Sequence, residues 1–243
     1  DGKYYYTPDN WYDEVFHSSF RQEYNANVTG SNGKMNYFAS AGYLQDGGIV
    51  DNSELKRYTA RTTVDYQAKK WLKLTTGLSF THTDSQSPQY DVNQYGSSGN
   101  LFYITNNVAP IYPLYVRNAD GSIKTEGGRV VYDANQTGFQ RPAISGNAVR
   151  DNEYKRSHSY RDILQGQWDV QITPIEGLVL DANLNAFSSN TRVNDLASAF
   201  ANGQADDGIA SVSATRYFTV NQRYTINYDK SLGNHHFNIL AGY

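Results

Sequence analysis

The stretch KRYTARTTVDYQAKKWLKLTTGLSFTH, residues 56–82, decides the fold. Tyr58, Ala60, Thr62, Val64 and Tyr66 alternate with Arg57, Thr59, Arg61, Thr63, Asp65 and Gln67. Successive side chains of a strand point to opposite faces, so the first set shares one face and the second set the other. Ala68-Lys69-Lys70 then reads as a tight turn. Beyond it Leu72, Leu74, Thr76, Leu78 and Phe80 alternate with Lys73, Thr75, Gly77 and Ser79. A basic group facing lipid at the bilayer midplane costs roughly 2–4 kcal/mol. The charged face therefore belongs to a wet or polar interior and the apolar face to lipid, which is how a transmembrane β-barrel is written into sequence.

The same two-residue period recurs along the chain. Segment 18–29 sets Phe20, Tyr24, Ala26 and Val28 against Arg21, Glu23, Asn25 and Asn27. Segment 35–44 follows the turn at 30–34, with Tyr37, Ala39, Ala41 and Tyr43 on one face. Segment 159–173 sets Leu164, Gly166, Trp168, Val170 and Ile172 against Gln165, Gln167, Asp169 and Gln171. Strands are also expected at 178–187, 212–228 and 235–243, the second with Val220 and Ile226 opposite Arg223. Eight strands result, joined alternately by tight turns (30–34, 68–70, 174–177, 230–234) and by wide loops (45–55, 83–158, 188–211). Outer-membrane barrels keep periplasmic turns short and external loops long. Residues 1–17 then read as an external segment leading into the wall formed by 18–243. Within the longest loop, Pro110 and Pro113 break any ladder and Asn118-Ala119-Asp120-Gly121 is a turn. Part of that loop is expected to fold as short extended pieces above the barrel, and the plainer reading of the stretch is disorder. The final segment stops inside a strand at Tyr243, so further strands are expected to follow. The opening Asp1-Gly2-Lys3-Tyr4 carries no signal peptide and reads as internal.

Composition narrows the function. The chain has 243 residues, 21 of them Tyr and 20 Gly, no Cys, and a formal net charge of -3. That charge lacks the basic field of a nucleic-acid binder, and the missing Cys removes disulfides and thiolate metal sites. Mean hydropathy is -0.66, and no run approaches the roughly 18 apolar residues of a membrane helix.

No catalytic constellation emerges, and no cofactor or metal site is expected. The five His stand at 17, 82, 158, 235 and 236; the adjacent pair His235 and His236 face opposite ways in a strand. Asp206-Asp207 in a Gly-rich loop lacks a complete Ca²⁺ ligand pattern and reads as a solvated acidic turn. Asn27-Val28-Thr29 matches a glycosylation acceptor but falls in a strand. Tyr95-Gly96-Ser97-Ser98-Gly99 lacks the Lys of a phosphate loop. Tyr90, Tyr95, Tyr103, Tyr112 and Tyr115 are candidate substrate or partner contacts, since aromatic faces stack on sugar rings; the plainer reading packs them within the loop or against a partner. Arg57, Arg61, Asp65, Asp169 and Arg223 are the barrel-interior polar residues, contacting a plug or solvent. Trp11, Trp71 and Trp168 are expected as interfacial anchors.

Several ordered pieces resemble a known family. Asn10-Trp11-Tyr12-Asp13-Glu14-Val15-Phe16, Gln22-Glu23-Tyr24 and Tyr37-Phe38-Ala39-Ser40-Ala41-Gly42-Tyr43-Leu44-Gln45-Asp46-Gly47-Gly48-Ile49 resemble the start of the barrel region in SusC/RagA-type TonB-linked outer-membrane transporters. Arg57-Tyr58-Thr59-Ala60-Arg61, Trp71-Leu72-Lys73-Leu74 with Gly77-Leu78-Ser79, Tyr112-Pro113-Leu114-Tyr115 with Asp120-Gly121-Ser122, and His236-Phe237-Asn238-Ile239-Leu240-Ala241-Gly242-Tyr243 continue the likeness in order. The resemblance implies an all-β, antiparallel transmembrane barrel of about 22 strands, of which this chain is a section of about eight, without the plug. It implies a non-enzymatic, TonB-dependent nutrient importer in the outer membrane of a Gram-negative bacterium of the Bacteroidota. The implied cargo is a glycan or oligopeptide. The implied partners are a SusD-like surface lipoprotein, the TonB complex acting through N-terminal regions absent here, outer-membrane lipid and lipopolysaccharide, and a second transporter–lipoprotein pair. A complete eight-stranded barrel with a structural or adhesive role, and a soluble sugar-binding β-protein, remain as alternatives.

Overall fold

The computed structural model describes residues 8–88, 101–133, 147–201 and 207–243. Its main body is one antiparallel sheet of eight strands in which each strand pairs with its neighbours in sequence. They are β1 (Arg21–Ser31), β2 (Met35–Gly47), β3 (Glu54–Lys69) and β4 (Leu72–Pro88). After two helices, α2 (Leu101–Asn107) and α3 (Ala148–Tyr154), come β7 (Lys155–Ile175), β8 (Leu178–Ala197), β9 (Ile209–Leu232) and β10 (His235–Gly242). A short hairpin of β5 (Thr125–Glu126) and β6 (Arg129–Val130) lies between those helices, and α1 (Trp11–Val15) precedes the sheet. The eight strands answer the eight expected from alternation. β1 and β10 occupy opposite edges of the sheet order, each with one edge unpaired among the described residues.

The strands outrun the segments read from alternation. β7, β8 and β9 have 21, 20 and 24 residues, where about 9–11 suffice to cross a bilayer. β4 continues to Pro88 and β7 begins at Lys155, with Pro88 opposite Arg156. The wide connections are correspondingly shorter than 83–158 and 188–211. Hydrophobic alternation stops before the strands do, because backbone pairing needs no apolar face and carries on.

The turns at the other end are tight. Gly33, Gly177 and Gly233 sit there at φ 80°, 84° and 60°, the left-handed region that glycine enters without strain. Gly177 is also crowded. A Cβ there would lie 2.0 Å from the Asp229 carbonyl oxygen, because the Asp229 N–H donates to the Gly177 carbonyl at 2.8 Å.

The hydrophobic core lies among the loops at the opposite end, not between sheet faces. Trp11, Val15, Val50, Leu101, Ile104, Val108, Leu114 and Ala148 form it. On α2 the buried set is Leu101, Ile104 and Thr105, followed by Val108. This is the i, i+3, i+4, i+7 stripe of a helix, an element that the expectation of short extended pieces in part of the loop did not include. Trp11 is only 3% exposed and its indole N–H donates to the Tyr112 carbonyl at 2.9 Å. It anchors the core and is no interfacial residue.

Two polar side chains tie this cap together. Asp9 accepts from the Leu114 N–H at 2.7 Å and the Arg117 guanidinium at 2.5 Å. Asn147, fully buried, caps α3 by accepting from the Val149 and Arg150 N–H groups at 3.1 Å, while its amide donates to the Leu114 and Asp133 carbonyls at 2.9 and 3.1 Å. Buried backbone groups left without partners are costly, so one side chain that satisfies four of them fixes where three segments meet.

Two outcomes are expected. G33A, with nothing near the new methyl, should cost about 1 kcal/mol for its left-handed backbone. G177A should cost about 3 kcal/mol or more, because overpacking adds to the strain. Urea midpoints in detergent compare them, and equal losses would contradict the crowding. N147A should destabilise the cap by about 3 kcal/mol through the lost cap and orphaned carbonyls. Limited proteolysis should then cut within 101–154 while the sheet stays protected; unchanged cleavage would sink the assignment.

Candidate functional site

The pairing register sorts every strand residue onto one of two faces. Tyr66 lies opposite Leu74, Leu74 opposite Val170, Val170 opposite Ala182 and Ala182 opposite Tyr224. Directly paired residues share a face. Val64, Thr76, Trp168 and Leu184 form the next row, and Thr62, Leu78, Gly166, Ala186 and Val220 the row after that. This apolar face is open: Leu78, Leu164, Phe218 and Ile226 are 43%, 53%, 64% and 52% exposed. A contiguous apolar surface of this kind marks contact with a partner or a membrane.

The apolar run has defined ends. Tyr24, Tyr43, Tyr58 and His82 line up across β1 to β4, with ring centroids 6.5, 5.0 and 6.0 Å apart. From Tyr58 to Tyr66 is nine residues, roughly 30 Å along the strand. Tilted, that length matches an apolar band about 25 Å tall between aromatic girdles. Trp71, 49% exposed, sits in the β3–β4 turn, and Trp168 lies within the apolar face. On β4, β7 and β9 the apolar run stops one alternate position nearer the turns, at Phe80, Leu164 and Phe218. Slippage of the run across the rows is what strands tilted to a membrane normal require.

The opposite face carries most of the polar and charged side chains of the sheet, with Phe38, Leu44, Ile163 and Phe187 among them. Asp65, Thr75, Asp169, Asn183 and Arg223 form one row across β3, β4, β7, β8 and β9. Thr75 donates its hydroxyl to Asp65 at 2.6 Å, and Asp169 accepts from Gln167 at 2.9 Å and from Asn183, which in turn accepts from Asn185. Arg61 projects from the same face of β3 into a 290 Å³ depression shared with Thr63, Thr75, Gly77, Gln165 and Gln167. Arg57 shares the face too, opposite Thr83 and beside the buried Leu44. The five charged residues picked from alternation thus lie on one face, and three of them share a row.

The loop tyrosines divide. Tyr90 and Tyr95 lie outside the described residues, as does Asp206. Tyr103, on α2, is exposed. Tyr112 and Tyr115 pack against the cap core. The Tyr115 hydroxyl donates to Glu14 at 2.9 Å and its ring lies 5.3 Å from that of Tyr132, whose hydroxyl donates to Glu153. Burial and those carboxylates push both phenols well above the usual tyrosine range. Tyr112 and Tyr115 are therefore engaged inside the cap.

Sequence reasoning missed the pairings that only the sheet creates. His82 Nδ1 meets Asp162 at 2.6 Å, and His158 Nε2 meets Asp84 at 2.5 Å, on the apolar-run face just beyond its loop-side end. Pairing of β4 with β7 across the long loop brings them together. Asp9 and Asn147 carried no periodic signal; their roles follow from burial.

No protein-family model matches the chain. Two curated proteins of Formosa agariphila (strain DSM 15362) are similar: TonB-dependent receptor P3, 25% identical over 96% of this chain, and TonB-dependent receptor P26, 22% identical over 98%. The chain spans 22% of the length of each. Among solved structures, that of the RagAB peptide transporter superposes with a TM-score of 0.70 at 21% identity, covering 97% of this chain and 25% of that one. The RagAB peptide importer in its open-open state gives 0.67 at 18% identity. The curated relatives are receptors by name, and the solved structures are of a peptide transporter. Two-faced register, aromatic boundaries and ordered similarity along nearly the whole chain converge: the chain is similar to one stretch of two TonB-dependent receptors and shares the fold of the matching part of the RagAB transporter.

Proposed function

We propose that the chain is a section of the barrel wall, about eight strands of about 22, in an outer-membrane importer energised through TonB. The two-faced sheet with both edges unpaired carries this reading. In hydrocarbon an open strand edge leaves backbone N–H and C=O groups without partners, so β1 and β10 call for neighbouring wall strands. The apolar face meets lipid. The polar face, with Arg57, Arg61, Asp65, Asp169 and Arg223, lines the lumen and meets a plug or solvent. The cap built from residues 8–17, 101–133 and 147–154 stands on the external side.

The cargo in this reading is an oligopeptide or a glycan too large for passive pores. It is delivered by a SusD-like surface lipoprotein seated on the external loops, within a dimer of transporter–lipoprotein pairs, and TonB acts through regions outside this chain. A closed eight-stranded barrel is disfavoured because β1 and β10 lie at opposite edges of the sheet. A soluble sugar-binding protein is disfavoured by the open apolar band.

Two measurements test this. In the full-length protein made Cys-free, single Cys at 61 and 223 should react with water-soluble maleimide, and Cys at 64, 78 and 226 only with a lipid-phase probe. The reverse pattern would turn the wall inside out. Cells carrying the full-length protein should accumulate labelled oligopeptide or glycan only when TonB is present. Undiminished uptake without TonB would refute the energised importer.

A further inference from the structure

Just beyond the loop-side end of the apolar run, the same face turns ionic, but unevenly. Towards β3, β4 and β7 the charges are matched: Lys56 with Glu54 at 2.8 Å, His82 with Asp162 at 2.6 Å and His158 with Asp84 at 2.5 Å. On β8 and β9 they are not. Arg192 and Arg216 project from this face with no carboxylate at ion-pair distance among the described residues. Arg216 pairs across the ladder with Asn190, and Arg192 with Ala214. The two arginines are thus diagonal neighbours, about 7–8 Å apart along the ladder and somewhat closer at the β-carbon, and Arg192 faces the small Ala214 side chain across the ladder. Together with Tyr160, Asp162, Asn190 and Asn194 they line a groove of 660 Å³. Arg192 Nε donates to Asn194 at 3.1 Å, which steadies it. Asp162, the carboxylate of this group, is already held by His82. Directly below lie Leu164, Ala186, Phe218 and Val220 of the apolar run.

Two guanidinium groups spaced to bracket one tetrahedral anion, with amides beside them and an apolar wall beneath, are complementary to a phosphate carried on acyl chains. The vertical order matters: phosphate-binding groups sit at headgroup level only if the surface below them faces the acyl region. We propose that Arg192 and Arg216 bind a phosphate of an outer-leaflet phosphorylated glycolipid, whose acyl chains lie over Leu164, Ala186, Phe218 and Val220. This site rests on the reading of the chain as a membrane wall. It places a fixed lipid on the wall beside the β8–β9 loop.

The test uses the full-length transporter in phosphatidylcholine nanodiscs containing lipid A, dephosphorylated lipid A or neither, with bound glycolipid counted by native mass spectrometry. The wild type should retain lipid A and lose it on dephosphorylation. R192Q/R216Q should weaken retention at least tenfold, K56Q should leave it unchanged, and millimolar inorganic phosphate should not substitute for the lipid in protecting Cys placed at position 190. Heat-modifiable gel mobility verifies that each variant folds. Equal retention by R192Q/R216Q, equal loss in K56Q, indifference to dephosphorylation, protection by free phosphate alone, or Cys cross-linking of two copies through positions 190 and 214 would each overturn the site. Lipid-probe labelling at position 164 separates the two failures: if it is absent the wall reading falls as well, and if it is present only the lipid site falls.

Discussion

A strand in hydrocarbon finds no water for its N–H and C=O groups, so each must be bonded to an adjacent strand. The ladder here is continuous from β1 to β10, and a continuous antiparallel ladder makes parity absolute. Once Tyr66, Leu74 and Val170 share a row, every residue two positions along each strand shares their face. A slip of one residue anywhere would carry Arg61 or Arg223 into lipid and Leu78 into the polar face. The energy of such an exchange, roughly 2–4 kcal/mol for each basic group at midplane, exceeds what any single side-chain contact on the sheet contributes.

The same parity explains why the polar face can be so densely hydrogen-bonded without burying a core. Asp65, Asp169 and Asn183 draw their partners from their own row and from the row beside it. The hydrophobic core is displaced to the loops at one end of the sheet, where Trp11, Leu101, Ile104 and Leu114 pack around Asp9 and Asn147. The protein therefore has two stabilising environments of different kinds. The sheet is stabilised by its ladder and by the lipid-facing band. The cap is stabilised by ordinary burial, reinforced by two buried polar side chains that bond the backbone of three separate segments.

The sheet was legible along most of its length because lipid imposes a period of two on the composition. Tyr58 to Tyr66 and Leu72 to Phe80 announce their faces residue by residue, and Gly33, Gly177 and Gly233 mark the turns. Beyond Phe80 and Leu164 the signal fades. His82, Asp84, His158 and Asp162 on the former lipid face are polar like those opposite, so alternation could not report that the strands continue. The helix stripe of Leu101, Ile104, Thr105 and Val108 was present but short, and it was masked by the Asn- and Pro-rich composition around it.

The sequence by itself determined which face of each strand is apolar, where the tight turns fall and that Arg57, Arg61, Asp65, Asp169 and Arg223 share a side, because these are local consequences of a two-residue period. Only the tertiary structure decided which of them meet. Asp65, Asp169 and Arg223 come into one row, His82 reaches Asp162, and Arg192 and Arg216 flank one groove through pairings between strands far apart in the chain. Trp11 moved from an expected membrane anchor to the centre of the cap for the same reason. A strand's periodicity carries no information about its partner's register, and a loop's burial depends on segments that its own composition does not name.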